Sequence, residues 1–126
     1  MSTINGLLKN TLTGEDFYLL LGDYLDAFYR ADSAGRQAMI ADAPFGQQLE
    51  CKHEYLCFMA ATAHKLANDY QLQVPSWVFD KYLYMTEKPF FAAGAKGKLR
   101  LLFMYKSPTE FKHRNMFVDE NVLQRV

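Results

Sequence analysis

An all-α fold, one irregular helical bundle spanning residues 1–126 with a long central helix, is what the sequence predicts. Three observations carry this expectation. Phe17, Leu20, Leu21, Tyr24, Leu25 and Phe28 recur at i, i+3, i+4, i+7, i+8 and i+11, the spacing of one helical face. Residues 47–71 run without Pro or Gly, and Leu49, Tyr55, Leu56, Met59, Ala60, Ala63, Leu66 and Tyr70 fall on one arc at about 100° per residue. The 126 residues, half of them apolar, suit a single domain with its own core and argue against disorder.

In chain order, Ile4, Leu7 and Leu8 predict a short first helix that Gly6 and Asn10 weaken. Thr13-Gly14-Glu15-Asp16 resembles a capping box, with Thr13 at the cap and a helix over about 14–30. Asp32 or Ser33 caps a third helix over about 33–42, with Met39 and Ile40 inward, and Ala43-Pro44-Phe45-Gly46 ends it. The 47–71 helix follows, with Glu54, Thr62, Lys65, Asn68 and Asp69 on its polar side. Phe58 also falls on that side, so another element covers part of it. Val74-Pro75-Ser76 turns the chain. Trp77–Phe91 is rich in rings and reads equally as a short helix or as a strand. Gly94 and Gly97 bracket a loop before a helix at roughly 95–105. Ser107-Pro108-Thr109-Glu110 has the pattern of a helix start, with Ser107 capping, Pro108 in the first turn and Glu110 completing the box. Asp119 caps a last helix whose apolar side is Val122, Leu123 and Val126.

The formal net charge is zero, but its distribution is uneven. Residues 1–63 hold four bases and eight acids, a net −4, whereas residues 64–126 hold ten bases and six acids, a net +4. Either the halves complement each other in the fold or the basic half meets a negative partner. No apolar run approaches the roughly 18 residues of a membrane span. The first ten residues carry neither a basic n-region nor a long apolar stretch. Cys51 and Cys57, placed on one helix, lie about 240° apart around its axis, which excludes a disulfide between them. Two free thiols fit a reducing, cytoplasmic setting.

Candidate chemistry is sparse. On a helix, His53, Cys57 and His64 fall within about 40° of one another, a stripe that with His113 or a carboxylate offers a metal site. The same stripe also reads as a boundary between polar and apolar faces, and neither HExxH nor CxxC is present. There is no GxSxG elbow and no phosphate-binding glycine loop, so no catalytic set and no cofactor is implied. The basic segment 94–115 is the stronger lead. Lys96, Lys98, Arg100, Lys106, Lys112 and Arg114 face a single acid, Glu110, with His113 beside them. Six bases can meet phosphates, yet a pI near 6.8 is low for a dedicated nucleic-acid binder. Eight tyrosines exceed what a small core needs, so Tyr82 and Tyr84 are expected at a partner-facing surface.

Residues 64–126 carry a further pattern. Ser107, Pro108, Phe111, Arg114, Asn115, Phe117, Val118, Asn121, Leu123, Arg125 and Val126 follow "LANDYQLQVPSWV" and "EKPFF". This half resembles the ending of a group of small uncharacterised bacterial proteins. Some of those carry a helix-turn-helix domain in front and are encoded near nucleotidyltransferase-like toxin candidates. The resemblance implies an antitoxin-like partner of a nucleotidyltransferase-type protein. The first 60 residues here contain no DNA-reading module, and no catalytic residues transfer.

The favoured expectation is therefore a non-enzymatic interaction protein with a protein partner, contacted through Lys106, Lys112, His113, Arg114, Asn115, Tyr82 and Tyr84. A nucleic-acid module using Lys96, Lys98 and Arg100 is the first alternative. A small metal-dependent enzyme using His53, Cys57 and His64 is the second. A homo-oligomer is compatible with each.

Overall fold

A computed structural model describes residues 3–125 of the chain. Its elements are six helices and one very short parallel sheet. They are α1 (Ile4–Leu12), α2 (Phe17–Arg30), α3 (Ser33–Ala41), α4 (His53–Asp69), β1 (Phe90–Phe91), α5 (Lys98–Lys106), α6 (Thr109–Lys112) and β2 (Met116–Phe117). The all-α expectation holds.

The first three helices begin where short polar side chains take up exposed backbone N–H groups. Thr3 accepts from Gly6 N, Asp16 from Tyr18 N and Leu19 N, and Asp32 from Gly35 N. The capping-box expectation at Thr13 fails, because Thr13 ends α1 instead of starting α2. Its hydroxyl donates to the Asn10 carbonyl, and Gly14 supplies the positive φ of the turn. Phe17, Leu21, Tyr24, Leu25 and Phe28 are all buried, so the predicted face of α2 is the one that packs, with Leu20 partly buried beside it.

The expected 47–71 helix forms only over His53–Asp69. Residues Gly46–Glu50 make a 3-10 turn, and Cys51 and Lys52 are extended, with ψ of 169° and 132°. No residue in this stretch forbids a helix. The break comes from docking: the turn packs against α1, and Cys51 buries its side chain as the chain changes direction. Cys51 therefore lies outside α4, and both thiols are free for a reason other than their angle on a common helix.

Residues 56–63 of α4 are buried without interruption, including Thr62 of the expected polar side. Alanines at 60, 61, 63 and 67 leave room for neighbours to approach the helix from several directions. Phe58 is the large side chain that fills the far side. Its ring meets Phe17 and Phe111 edge-on at 5.3 and 5.0 Å, with Tyr18 and Phe90 just beyond.

Polar atoms on the rings tie the loops down. Tyr24 Oη donates to the Met39 carbonyl at 2.9 Å and Trp77 Nε1 to the Ile40 carbonyl at 3.0 Å, so the open end of α3 is satisfied from two directions. Tyr29 Oη donates to the Leu123 carbonyl, 94 residues on, at 2.7 Å. Arg36 donates to the carbonyls of Phe28 and Tyr29 at the end of α2 while its guanidinium lies 4.7 Å from the Tyr70 ring.

The ring-rich stretch after Pro75 becomes two 3-10 turns, Ser76–Phe79 and Lys81–Leu83, followed by β1. Phe90 and Phe91 pair in parallel with Met116 and Phe117, a pairing that needs the long crossover through α5 and α6. Ser107 does not cap α6. It ends α5, is buried, and its hydroxyl accepts from Val118 N at 2.8 Å. Glu110 does not complete a box either; it accepts from Asn68 of α4 at 2.9 Å. After Asp119 the chain makes turns, in which Asp119 accepts from Asn121 N, and no helix forms through Arg125. Val126, expected on that last helix, lies outside the described residues.

Phe58→Ala removes a fully buried ring that touches rings from both halves of the chain. It should cost about 3–5 kcal/mol. Leu101→Ala, on an exposed helix face, should stay within about 0.5 kcal/mol. Urea denaturation followed by circular dichroism reads both.

Candidate functional site

Helix α5 follows Gly97, whose φ of 57° and ψ of −128° place the chain in a glycine-favoring conformation before the helix begins. Of its nine residues only Phe103 is buried. Residues two places on either side of Phe103 project away from the body. They are Leu101 and Tyr105, which are 66% and 80% exposed. Leu99, Leu102 and Met104 are exposed beside them. The helix thus turns an apolar ridge outward, the reverse of an ordinary surface helix.

The ridge has a basic surround. Lys96 and Lys98 are exposed and have no carboxylate within ion-pair distance among the described residues. Arg100 lies 4.1 Å from the Phe91 ring and donates from Nε to the Ala95 carbonyl. Lys106 is 4.0 Å from Glu120, and Lys112 Nζ donates to the Tyr105 carbonyl at 2.8 Å. Among the described residues one ion pair joins the basic half to the acidic half, Arg125 to Asp26 at 3.0 Å. The basic segment is therefore not neutralised by the chain's own acidic helix.

The other residues expected at a partner surface divide sharply. His113 and Tyr82 are exposed. Arg114 is not a surface residue; it is 1% exposed. Its Nη2 donates to the Val78 carbonyl at 2.7 Å and its Nη1 to the Glu110 carbonyl at 2.8 Å, with His64 Nδ1 at 3.3 Å from Nη1. Tyr84 is half-buried with its ring 4.9 Å from the same guanidinium. Asn115 takes a positive φ of 61° and donates from Nδ2 to the Met85 carbonyl at 2.9 Å. Arg114 and Asn115 thus satisfy backbone carbonyls within the fold. Neither is free to meet a partner.

The metal stripe does not assemble. His53 and Cys57 are neighbours, with Sγ 3.4 Å from Nε2, but that nitrogen also bonds the Tyr82 carbonyl. His64 lies eleven residues further on, about 16 Å along a helix. It turns to Arg114 and Phe79. Among the described residues no three His, Cys, Asp or Glu side chains gather into a cluster able to hold a metal. Burial pushes the Cys57 thiol up to about 12, far from a reactive thiolate. The cleft between the start of α4 and residues 81–88 is lined by His53 and Tyr82 together with Lys52, Glu54, Lys81 and Glu87, among others.

Sequence reasoning located the basic segment but missed the outward apolar ridge. The signal was present: residues 98–106 place apolar side chains all round the helix, so no polar face exists to turn to water.

Arg114→Ala leaves the Val78 and Glu110 carbonyls unpaired and opens a cavity, and should cost about 2–5 kcal/mol in urea denaturation. The ring nitrogen of His64 accepts from Arg114 only while it is unprotonated. Burial, and then the Arg114 charge, hold its pKa below the ordinary 6.5. The folded chain therefore binds this proton less readily than the unfolded chain. Its contribution is complete above that ordinary value and is lost as pH falls from there toward the lower folded pKa. His64→Gln should flatten this part of a stability–pH profile measured by thermal unfolding.

Among the described residues no helix is long and apolar enough to cross a membrane. Comparison of the chain with protein-family models, with curated proteins and with solved structures finds no match.

Proposed function

We propose that this chain is a non-enzymatic interaction protein that docks a protein partner on α5. The observation that carries this reading is the exposed apolar ridge of Leu101 and Tyr105, flanked by Leu99, Leu102 and Met104. Contiguous exposed apolar surface with a polar rim is the mark of a contact site. Lys96, Lys98 and Lys106 form that rim, with Lys112 beside Tyr105, so the partner presents an apolar face edged by acids. Of the residues first expected at the surface, Lys106, Lys112 and His113 keep this role. Tyr82 lies on the separate cleft beside His53.

The finer proposal is an antitoxin-like chain whose partner is a nucleotidyltransferase-type protein. Its support is the resemblance of residues 64–126, a segment that contains α5. A nucleic-acid reading draws on Lys96 and Lys98. It is the weaker one, because the outermost positions of α5 are apolar and Arg100 is engaged with Phe91 and Ala95.

Affinity capture from source cells with the native chain and with Leu101→Glu/Tyr105→Glu tests the reading. The native chain should retain a protein, identified by mass spectrometry, that the double variant loses at least about tenfold. Equal retention by both, or retention of nucleic acid alone, would overturn it.

A further inference from the structure

The acidic half carries an apolar patch of its own. Leu12, at the end of α1, and Tyr18 and Leu19, in the first turn of α2, are 41%, 48% and 73% exposed. Glu15 and Asp16 sit between them in the chain, and Asp23 lies one turn after Leu19 on the same side of α2. These three acids are exposed and have no ion-pair partner among the described residues. The corner between α1 and α2 thus exposes apolar side chains beside three acids, with Lys52 near Leu12 and Glu15 on one flank, and α5 is an apolar ridge edged by bases. One chain displays both halves of a complementary pair.

Resting on the reading of α5 as a docking helix, we propose that its occupant, when no other partner is bound, is the α1–α2 corner of a second copy of this chain. Leu101 and Tyr105 of one copy cover Leu19 and Tyr18 of the next, and Lys98 and Lys106 approach Glu15, Asp16 and Asp23. Like-to-like pairing is disfavoured, because α5 on α5 opposes lysines and corner on corner opposes carboxylates. The contact is therefore heterologous, head to tail. A zero net charge places no overall repulsion between copies. The surfaces are small and unobstructed, so the association is weak and concentration-dependent. A hetero-partner that takes α5 displaces the second copy.

Sedimentation velocity at low salt should show concentration-dependent association of the native chain that high salt reverses. Leu101→Glu removes the ridge and Leu19→Lys removes the corner. Each variant alone should be monomeric, with an unchanged circular dichroism spectrum, since both positions are exposed. Mixed, they should form a one-to-one pair, because each supplies the patch the other lacks. A native chain that stays monomeric, a Leu19→Lys chain that associates as the native one does, or variants that fail to pair would each overturn the proposal. Binding of native and Leu19→Lys chains alike to anionic phosphatidylserine vesicles, without self-association, would assign α5 to a lipid surface instead. The capture experiment separates this proposal from the reading it rests on. Self-association lost with Leu19→Lys while a hetero-partner is still retained supports both. A retained hetero-partner with a monomeric native chain defeats the second copy alone.

Discussion

A buried guanidinium organises the C-terminal half of this protein. Among the described residues Arg114 has no carboxylate at ion-pair distance, and it is held by the Val78 and Glu110 carbonyls, a histidine ring nitrogen and a tyrosine face. Each of these comes from a segment with little secondary structure of its own, or from a helix that must be held at a set distance. Desolvation lowers the pKa of Arg114, but an arginine stays charged under any ordinary condition. The surrounding segments must therefore keep presenting oxygen to it. Its own carbonyl accepts from Met85 N, and Asn115 next to it accepts from Phe90 N and donates to Met85. The 3-10 turns after Pro75, the short sheet and α6 are thereby gathered around Arg114 and Asn115, with His64 of α4 against the guanidinium. Nε has no partner among the described residues, which leaves a residual cost.

The core on the other side of α4 is built differently. There, shape does the work: small residues on α4 let α1, α3 and the ring cluster around Phe58 close in, and hydroxyl or indole groups at the edges take the carbonyls left over at helix ends. Once both sides of α4 are filled, α5 buries only Phe103 and lies against β2. An apolar helix left outside a completed core is the feature on which the proposed docking surface rests.

Charge follows the same division. The acidic first half and basic second half meet through a single ion pair among the described residues, at Asp26 and Arg125. The asymmetry is thus expressed on the surface and is available for contacts between molecules. Surface pairs contribute little to folding in any case, so leaving these charges unpaired costs the fold little.

Local patterns determined much of this protein. The α2 stripe, the Asp32 cap, the end of α3 near Pro44 and the loop at Gly94–Gly97 all follow from nearest-neighbour physics: periodicity, capping chemistry and backbone preference. The sequence alone also marked 94–115 as basic. It could not decide what lies far apart in the chain. The 3-10 turn at 46–50 depends on docking against α1, and no residue at 47–52 announces it. Arg114 looked like a surface base because nothing near it reveals that Val78, 36 residues earlier, turns its carbonyl toward it. Ser107 has the residue type of a cap, yet its hydroxyl serves Val118. The outward ridge of α5 was decided last of all. An apolar helix without a polar face carries no local instruction about which side to bury, and only the filled volume around α4 determined that Phe103 would face inward and Leu101 and Tyr105 would face water.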